Sequence, residues 1–238
     1  MAYDYLGLTN EVIARMNEVA LTAANFANAR GFQVQCKNAV NDAINYINQR
    51  EFGWPFSHVT NSETLIANTT RYTIPATAQH VDYETFRIDR NATLGTSGVT
   101  LRVIDYKEYI DRYVDQESTS SVGGVPRFVF RTPDNNFGLY PYPDKAYVLK
   151  YEYFSKPTLL TAATDAPTVP DQYRQVIVDG ATAYAYQYRG EAQQYGINFA
   201  RFEEGIKHMQ TILLNRADYV RSTYIPHSQR NGTSITGF

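Results

Sequence analysis

Phe137-Gly138-Leu139-Tyr140-Pro141-Tyr142-Pro143-Asp144-Lys145, followed after Ala146 by Tyr147-Val148-Leu149-Lys150-Tyr151-Glu152-Tyr153-Phe154, leads the chain out of its sheet region and toward helix. Pro141 and Pro143 each lack a backbone donor, so residues 139–143 are expected at a sheet edge or in a turn. In the second run Tyr147, Leu149, Tyr151 and Tyr153 share one face, and Lys150 and Glu152 share the other. That is the period-two pattern of a half-buried strand. Pro157, Pro167 and Pro170 punctuate the loop that follows, and Asp171 stands where a helix N-cap belongs. Nothing in this segment is arranged for chemistry.

Downstream, Tyr173, Val176, Ile177, Gly180, Ala181 and Tyr184 recur at helical spacing, with small residues that permit close helix approach. Gly190 is expected to end this helix. The next carries Tyr195, Phe199, Phe202, Ile206, Met209 and Leu213 as a stripe. Upstream, Thr9 and Asn10 are the expected caps of a first helix bearing Val12, Ile13, Met16, Val19, Ala20 and Ala23, which Gly31 breaks. A second helix places Cys36, Val40, Ala43, Ile44 and Ile47 together and stops before Phe52-Gly53-Trp54-Pro55-Phe56. There Trp54 is read as a packing residue that locks the helices onto the sheet.

Between these ends lie short strand signals: Arg71-Tyr72-Thr73-Ile74-Pro75, Phe86-Arg87-Ile88-Asp89, Val99-Thr100-Leu101-Arg102-Val103, and the stretch 125–130. A short helix over 105–115 interrupts them, with Ile110 and Val114 apolar and a Glu108–Arg112 pair four residues apart. Residues 116–124 are polar, small and glycine-terminated, a surface loop. The expected fold class is α+β: a bundle of N- and C-terminal helices, at about 9–49 and 171–219, around a central, mainly antiparallel β layer at about 57–154. Residues 1–221 are expected to form one domain and 222–238 a polar tail with too few apolar residues to pack alone.

Bulk composition narrows the function classes. A net charge of −2 over 238 residues, and a pI of about 6.1, give no basic field to gather nucleic acid or an anionic membrane. A single cysteine excludes a disulfide framework or a cysteine-rich metal site, and Cys36 reads as a buried inert thiol. The opening residues lack a secretory leader pattern, and no apolar run is long enough to span a membrane, so a soluble protein of a reducing compartment is expected. Twenty tyrosines and twelve phenylalanines against one tryptophan suggest extensive protein contact. His58, His80, His208 and His227 are scattered, and no phosphate-binding or nucleophile motif occurs. The residues therefore predict no catalytic, cofactor or metal site, and favour an assembly protein over an enzyme.

Taken in order, Trp54-Pro55-Phe56, Arg71-Tyr72-Thr73-Ile74-Pro75, Gly124-Val125-Pro126-Arg127-Phe128 and Leu139-Tyr140-Pro141-Tyr142-Pro143-Asp144 form a series. The Tyr147 strand, Leu159-Leu160-Thr161, Asp165-Ala166-Pro167 and Val169-Pro170 continue it. This series, between helical ends, resembles the head-to-tail adaptor proteins of short-tailed bacteriophages, the tail tubular protein A or gatekeeper type. The resemblance spans about residues 6–214. It implies a ring, typically of twelve copies, between the portal protein and the tail nozzle protein, in the neck of a virion assembled in the host bacterial cytoplasm. DNA would pass through its channel without specific binding. Within that frame Gln116, Glu117, Ser118, Gly123 and Gly124 are the candidate channel or tail-facing loop. Tyr224, Ile225, Pro226, Arg230, Ile235 and Phe238 are the candidate contacts to the portal or a neighbouring subunit. The alternative reading is a virion-associated carbohydrate- or receptor-binding module, and such modules are usually all-β.

Overall fold

The computed structural model describes residues 2–90, 97–116 and 123–214. Its helices are α1 (Tyr5–Arg15), α2 (Ala23–Phe26), α3 (Phe32–Arg50), α4 (Tyr106–Arg112), α5 (Arg174–Arg189) and α6 (Ala192–Leu213). Helices from both ends share one core. Leu8, Val12 and Ile13 of α1, Val40, Ile44 and Ile47 of α3, Ile177 and Ala181 of α5, and Phe202, Ile206 and Met209 of α6 are buried together. The small residues of α5 do what their spacing predicts, and Gly205 of α6 adds to the close approach. A Cβ on Gly180 would lie 2.7 Å from the Phe202 ring, and one on Gly205 would lie 2.9 Å from Val176. Gly190, at φ 78°, closes α5 in the left-handed conformation.

Several local expectations are corrected. Asp4, not Thr9 or Asn10, caps α1, its carboxylate accepting from the Gly7 N–H at 2.7 Å. Thr9 is buried inside the helix with its hydroxyl on the Tyr5 carbonyl, and Asn10 clamps the backbone of Leu21 through both amide atoms. The helix stops at Arg15 rather than Gly31. Asn17 takes φ 56°, which turns the chain, and the Asn10 clamp brings Leu21 inward, so that Val19 is 77% exposed. At the other end Asp171 begins a 3-10 turn, Asp171–Tyr173, ahead of α5 and does not cap it.

Trp54 joins the bundle core, fully buried, with its indole N–H donating to the Ile47 carbonyl at 3.0 Å and its ring stacked on Phe56. The turn Pro55–Ser57 then delivers the chain directly into the first strand. The strands are β1 (His58–Thr64), β2 (Arg71–Tyr72), β3 (Ala78–Ile88), β4 (Val99–Thr100), β5 (Arg102–Val103), β6 (Phe128–Arg131), β7 (Phe137–Tyr140) and β8 (Val148–Ser155). They form two four-stranded sheets, β1-β8-β3-β4 and β2-β7-β6-β5, antiparallel except for the β5–β6 pair. The stretch read as one strand over 99–103 splits at Leu101. The Leu101 N–H joins the Phe86 carbonyl, while the Arg102 N–H joins the Arg127 carbonyl, each at 2.8 Å, so the chain changes sheet within two residues.

Residues of both sheets meet in a second core. Phe86 stacks on Tyr151 at 4.5 Å and meets Phe137 edge-on at 5.1 Å. The opposite face of the second sheet carries a third cluster, Ile104, Tyr109, Phe130 and Tyr140, under α4. With both faces covered, β7 is buried at every residue. The edge or turn expected for 139–143 is therefore wrong for Leu139 and Tyr140. Leu139 lies opposite Val129 in the sheet interior, and its N–H donates to the Thr70 carbonyl at 2.8 Å. Pro141 and Pro143 follow the last ladder residue, so their missing donors leave the ladder intact. β8 follows its pattern: Leu149, Tyr151 and Tyr153 are buried, and Lys150 and Glu152 are on the other face. In α4 the Glu108–Arg112 pair forms at 2.9 Å, but the buried residue is Tyr109, stacked 3.8 Å from Phe130, while Ile110 is exposed.

Candidate assembly interface

Two surfaces follow from the candidate residues. The first is the root of the 116–124 loop. Gln116 ends the turn Val114–Gln116 after α4, while Glu117 and Ser118 lie outside the described residues. On the far side Gly124 is tied down. Its N–H donates to the Tyr142 carbonyl at 2.9 Å, and it bridges Pro143 in parallel pairing. A side chain at Gly123 would meet the Tyr142 ring at 2.6 Å, so glycine is what lets the loop return over that ring. Tyr113, at 4.3 Å from Tyr140 and 5.9 Å from Phe128, anchors the other root to the second sheet. Along 105–115 four carboxylates, Asp105, Glu108, Asp111 and Asp115, face two cations, Lys107 and Arg112. The loop thus emerges beside a net acidic surface.

The second surface lies where the described chain ends. Tyr224, Ile225, Pro226, Arg230, Ile235 and Phe238 are outside the described residues, but the point of departure is visible. Leu213 and Leu214 line a groove of about 750 Å³ together with Arg50, Phe52, Pro55, His58 and Phe154. It lies between the C-terminal ends of α3 and α6 and the start of β1. Phe52 is 50% exposed and packs on His80 at 4.6 Å and on Phe154 at 6.3 Å. Beside it Glu152 pairs with His58 at 3.0 Å and Arg87 at 3.4 Å, which holds its carboxyl below the usual carboxylate range, His58 contributing most. Sequence reading singled out Trp54 in this cluster and passed over Phe52. The signal was the tandem of aromatics, of which one must face outward once the other fills the core.

The tyrosine surplus proves mainly internal. Tyr5, Tyr72, Tyr109, Tyr140, Tyr142, Tyr147, Tyr151, Tyr153 and Tyr173 are buried, and Tyr188 is the exposed one among the described residues. Flat rings fill the cores while hydroxyls reach backbone carbonyls, as Tyr5 does to Lys37 and Tyr72 to Ile66. Cys36 is buried and its thiol is pushed up to about 11 by burial, in keeping with an inert packing residue. Among the described residues no group of three or more His, Cys, Asp or Glu side chains is placed to hold a metal ion. None of the helices there is long and apolar enough to cross a membrane.

Comparison with known proteins adds one finding. The family described as SU10 adaptor protein matches residues 3–226 of the chain. No curated protein matches it.

Proposed function

The chain belongs to the SU10 adaptor protein family and is a phage structural adaptor protein, and from that premise we propose that its copies form a ring in the virion neck. The ring sits between portal protein and tail nozzle protein and continues the channel by which the genome leaves. The observation that carries this reading is the span of the match, which takes in both helical ends and all the strands between them. Helices at both ends also separate the chain from the usual all-β receptor-binding modules. In this reading residues 1–221 act as one adaptor domain and 222–238 as a docking tail. The family is one of structural adaptors, and the chain's role is to join other virion proteins.

A channel wall must not grip DNA. Each Lys or Arg that neutralises a phosphate adds affinity, and several together reach micromolar non-specific binding. The wall proposed here is acidic and polar, with the 116–124 loop and its acidic neighbours turned toward the axis or the next tail component. The tail, with Tyr224, Ile225, Pro226, Ile235 and Phe238 spaced among small polar residues, gains order only against a preformed surface on the portal or a neighbouring subunit. Arg230 supplies a charge-assisted contact there. Deleting 222–238 tests this reading. Loss of portal joining and of infectious particles is the expected result, and normal yields would remove the docking role.

A further inference from the structure

β1 lies at the edge of its sheet and pairs with β8 in unbroken register from His58↔Phe154 to Thr64↔Val148. One step further the Leu65 N–H donates to the Tyr147 carbonyl at 2.7 Å, which sets the alternation. Val59, Asn61 and Glu63 turn their backbone groups toward β8, and Thr60, Ser62 and Thr64 turn theirs outward. Those three residues are exposed, and among the described residues nothing bonds to their backbone N–H or C=O groups. The strand has no proline, lysine or bulge, devices that commonly keep a free edge from pairing. Its one charged side chain, Glu63, belongs to the half-buried alternate set. At the His58 end the edge runs into the groove lined by Phe52, Pro55, Phe154 and Leu214.

We propose that this edge and groove accept the C-terminal segment, residues 222–238, of a second copy of the chain, which adds as a further strand beside β1 and seats an apolar anchor against Phe52. The inference rests on the reading of the chain as a self-assembling adaptor and names the surface its tail uses. Thr233-Ser234-Ile235-Thr236 supplies side chains that pair well across strands with Thr60, Ser62 and Thr64. A chain's own segment departs at Leu214, inside the groove. To lie antiparallel on β1 it would first travel the strand's length, about 23 Å for seven residues, and then turn back. A neighbour's segment enters from the Thr64 end directly. Donor and acceptor are different surfaces, so the contact, repeated from copy to copy, is of the head-to-tail kind that closes rings.

Cross-linking of the full chain tests this. Cys36 is buried and its thiol raised, so introduced cysteines are the reactive ones. Chains carrying Ser62→Cys are mixed with chains carrying Ile235→Cys and treated with a short bis-maleimide. A covalent dimer that needs both partners is expected. Adding Thr60→Pro to the acceptor removes one outward donor and no bond to β8, so its melting temperature should hold. The dimer yield should fall about tenfold, the size of one hydrogen bond lost with its partner left buried. Absence of the dimer overturns the proposal. So does a yield indifferent to Thr60→Pro, or a cross-link formed within a single doubly substituted chain at dilution. If the cross-link is absent while the chain still joins portal rings, the inference fails alone; if the chain ignores portal rings, the adaptor reading fails with it.

Discussion

A methyl group added at Gly138 would sit 2.1 Å from the Phe130 ring, in the interior strand of a sheet covered on both faces. Nothing there can yield without unstacking Phe130 from Tyr109, so Gly138→Ala is expected to cost at least about 1–3 kcal/mol in urea unfolding. Gly196 presents the reverse case. It lies inside α6 with nothing within 4 Å of its missing Cβ, and Gly196→Ala should stabilise by about 0.5–1 kcal/mol. Equal effects at the two sites would contradict the packing described. Glu152 gives a pH signature. Its carboxyl is held below the unfolded value of about 4.3 by His58 and then Arg87, so its contribution is present above that pH and is lost as pH falls through the lower folded value. The melting temperatures of the wild type and Glu152→Gln should therefore differ at pH 7 and converge as pH falls through the lower folded value, whereas a gap independent of pH would exclude the ion pairs as its source.

At the scale of elements, the sequence was legible wherever burial followed a clean period. β8 shows its faces because Lys150 and Glu152 alternate with large apolar residues, and α3, α5 and α6 show theirs through stripes at helical spacing. Partner choice was not legible. Val99 to Val103 alternates like one strand, but alternation assigns faces and says nothing of which sheet each half joins, so the switch at Leu101 could not be seen. β1 escaped notice because its alternating residues are nearly all polar. The loop after α1 was misread because capping by Asp4 and the clamp of Asn10 on Leu21 act through hydrogen bonds that periodicity does not register. As for candidate sites, the sequence pointed to loops and a tail, and the structure adds the groove from which that tail departs. Asn41 shows how connectors are held. Its side chain accepts from the Leu160 N–H at 3.0 Å, and donates to the Leu160 carbonyl at 3.1 Å and the Tyr5 hydroxyl at 3.0 Å. Asn41→Ala leaves the buried Leu160 N–H and carbonyl without this partner, while the Tyr5 hydroxyl keeps its bond to Lys37, and should cost about 2–3 kcal/mol, read as a lower denaturant midpoint. An unchanged midpoint would mean that the 160s loop is held by other contacts.

At the scale of the whole molecule, one helical bundle draws its core from both ends of the chain, and the sheets between them present loops and, among the described residues, the open edge of β1. Such a body offers several distinct surfaces, as an adaptor that joins other virion proteins requires. The acidic surface around α4 and the loop after it are the parts expected to face the passing genome, and a continuous Lys/Arg belt around the lumen would count against that arrangement. Membership in an adaptor family makes assembly with other virion proteins the central claim. It is tested most directly by cryo-electron microscopy of the purified full chain mixed with its phage's portal complex. The account predicts a ring of copies stacked coaxially on the portal, with the channel continuous through both. A chain that stays monomeric beside unoccupied portals at every ratio would contradict it.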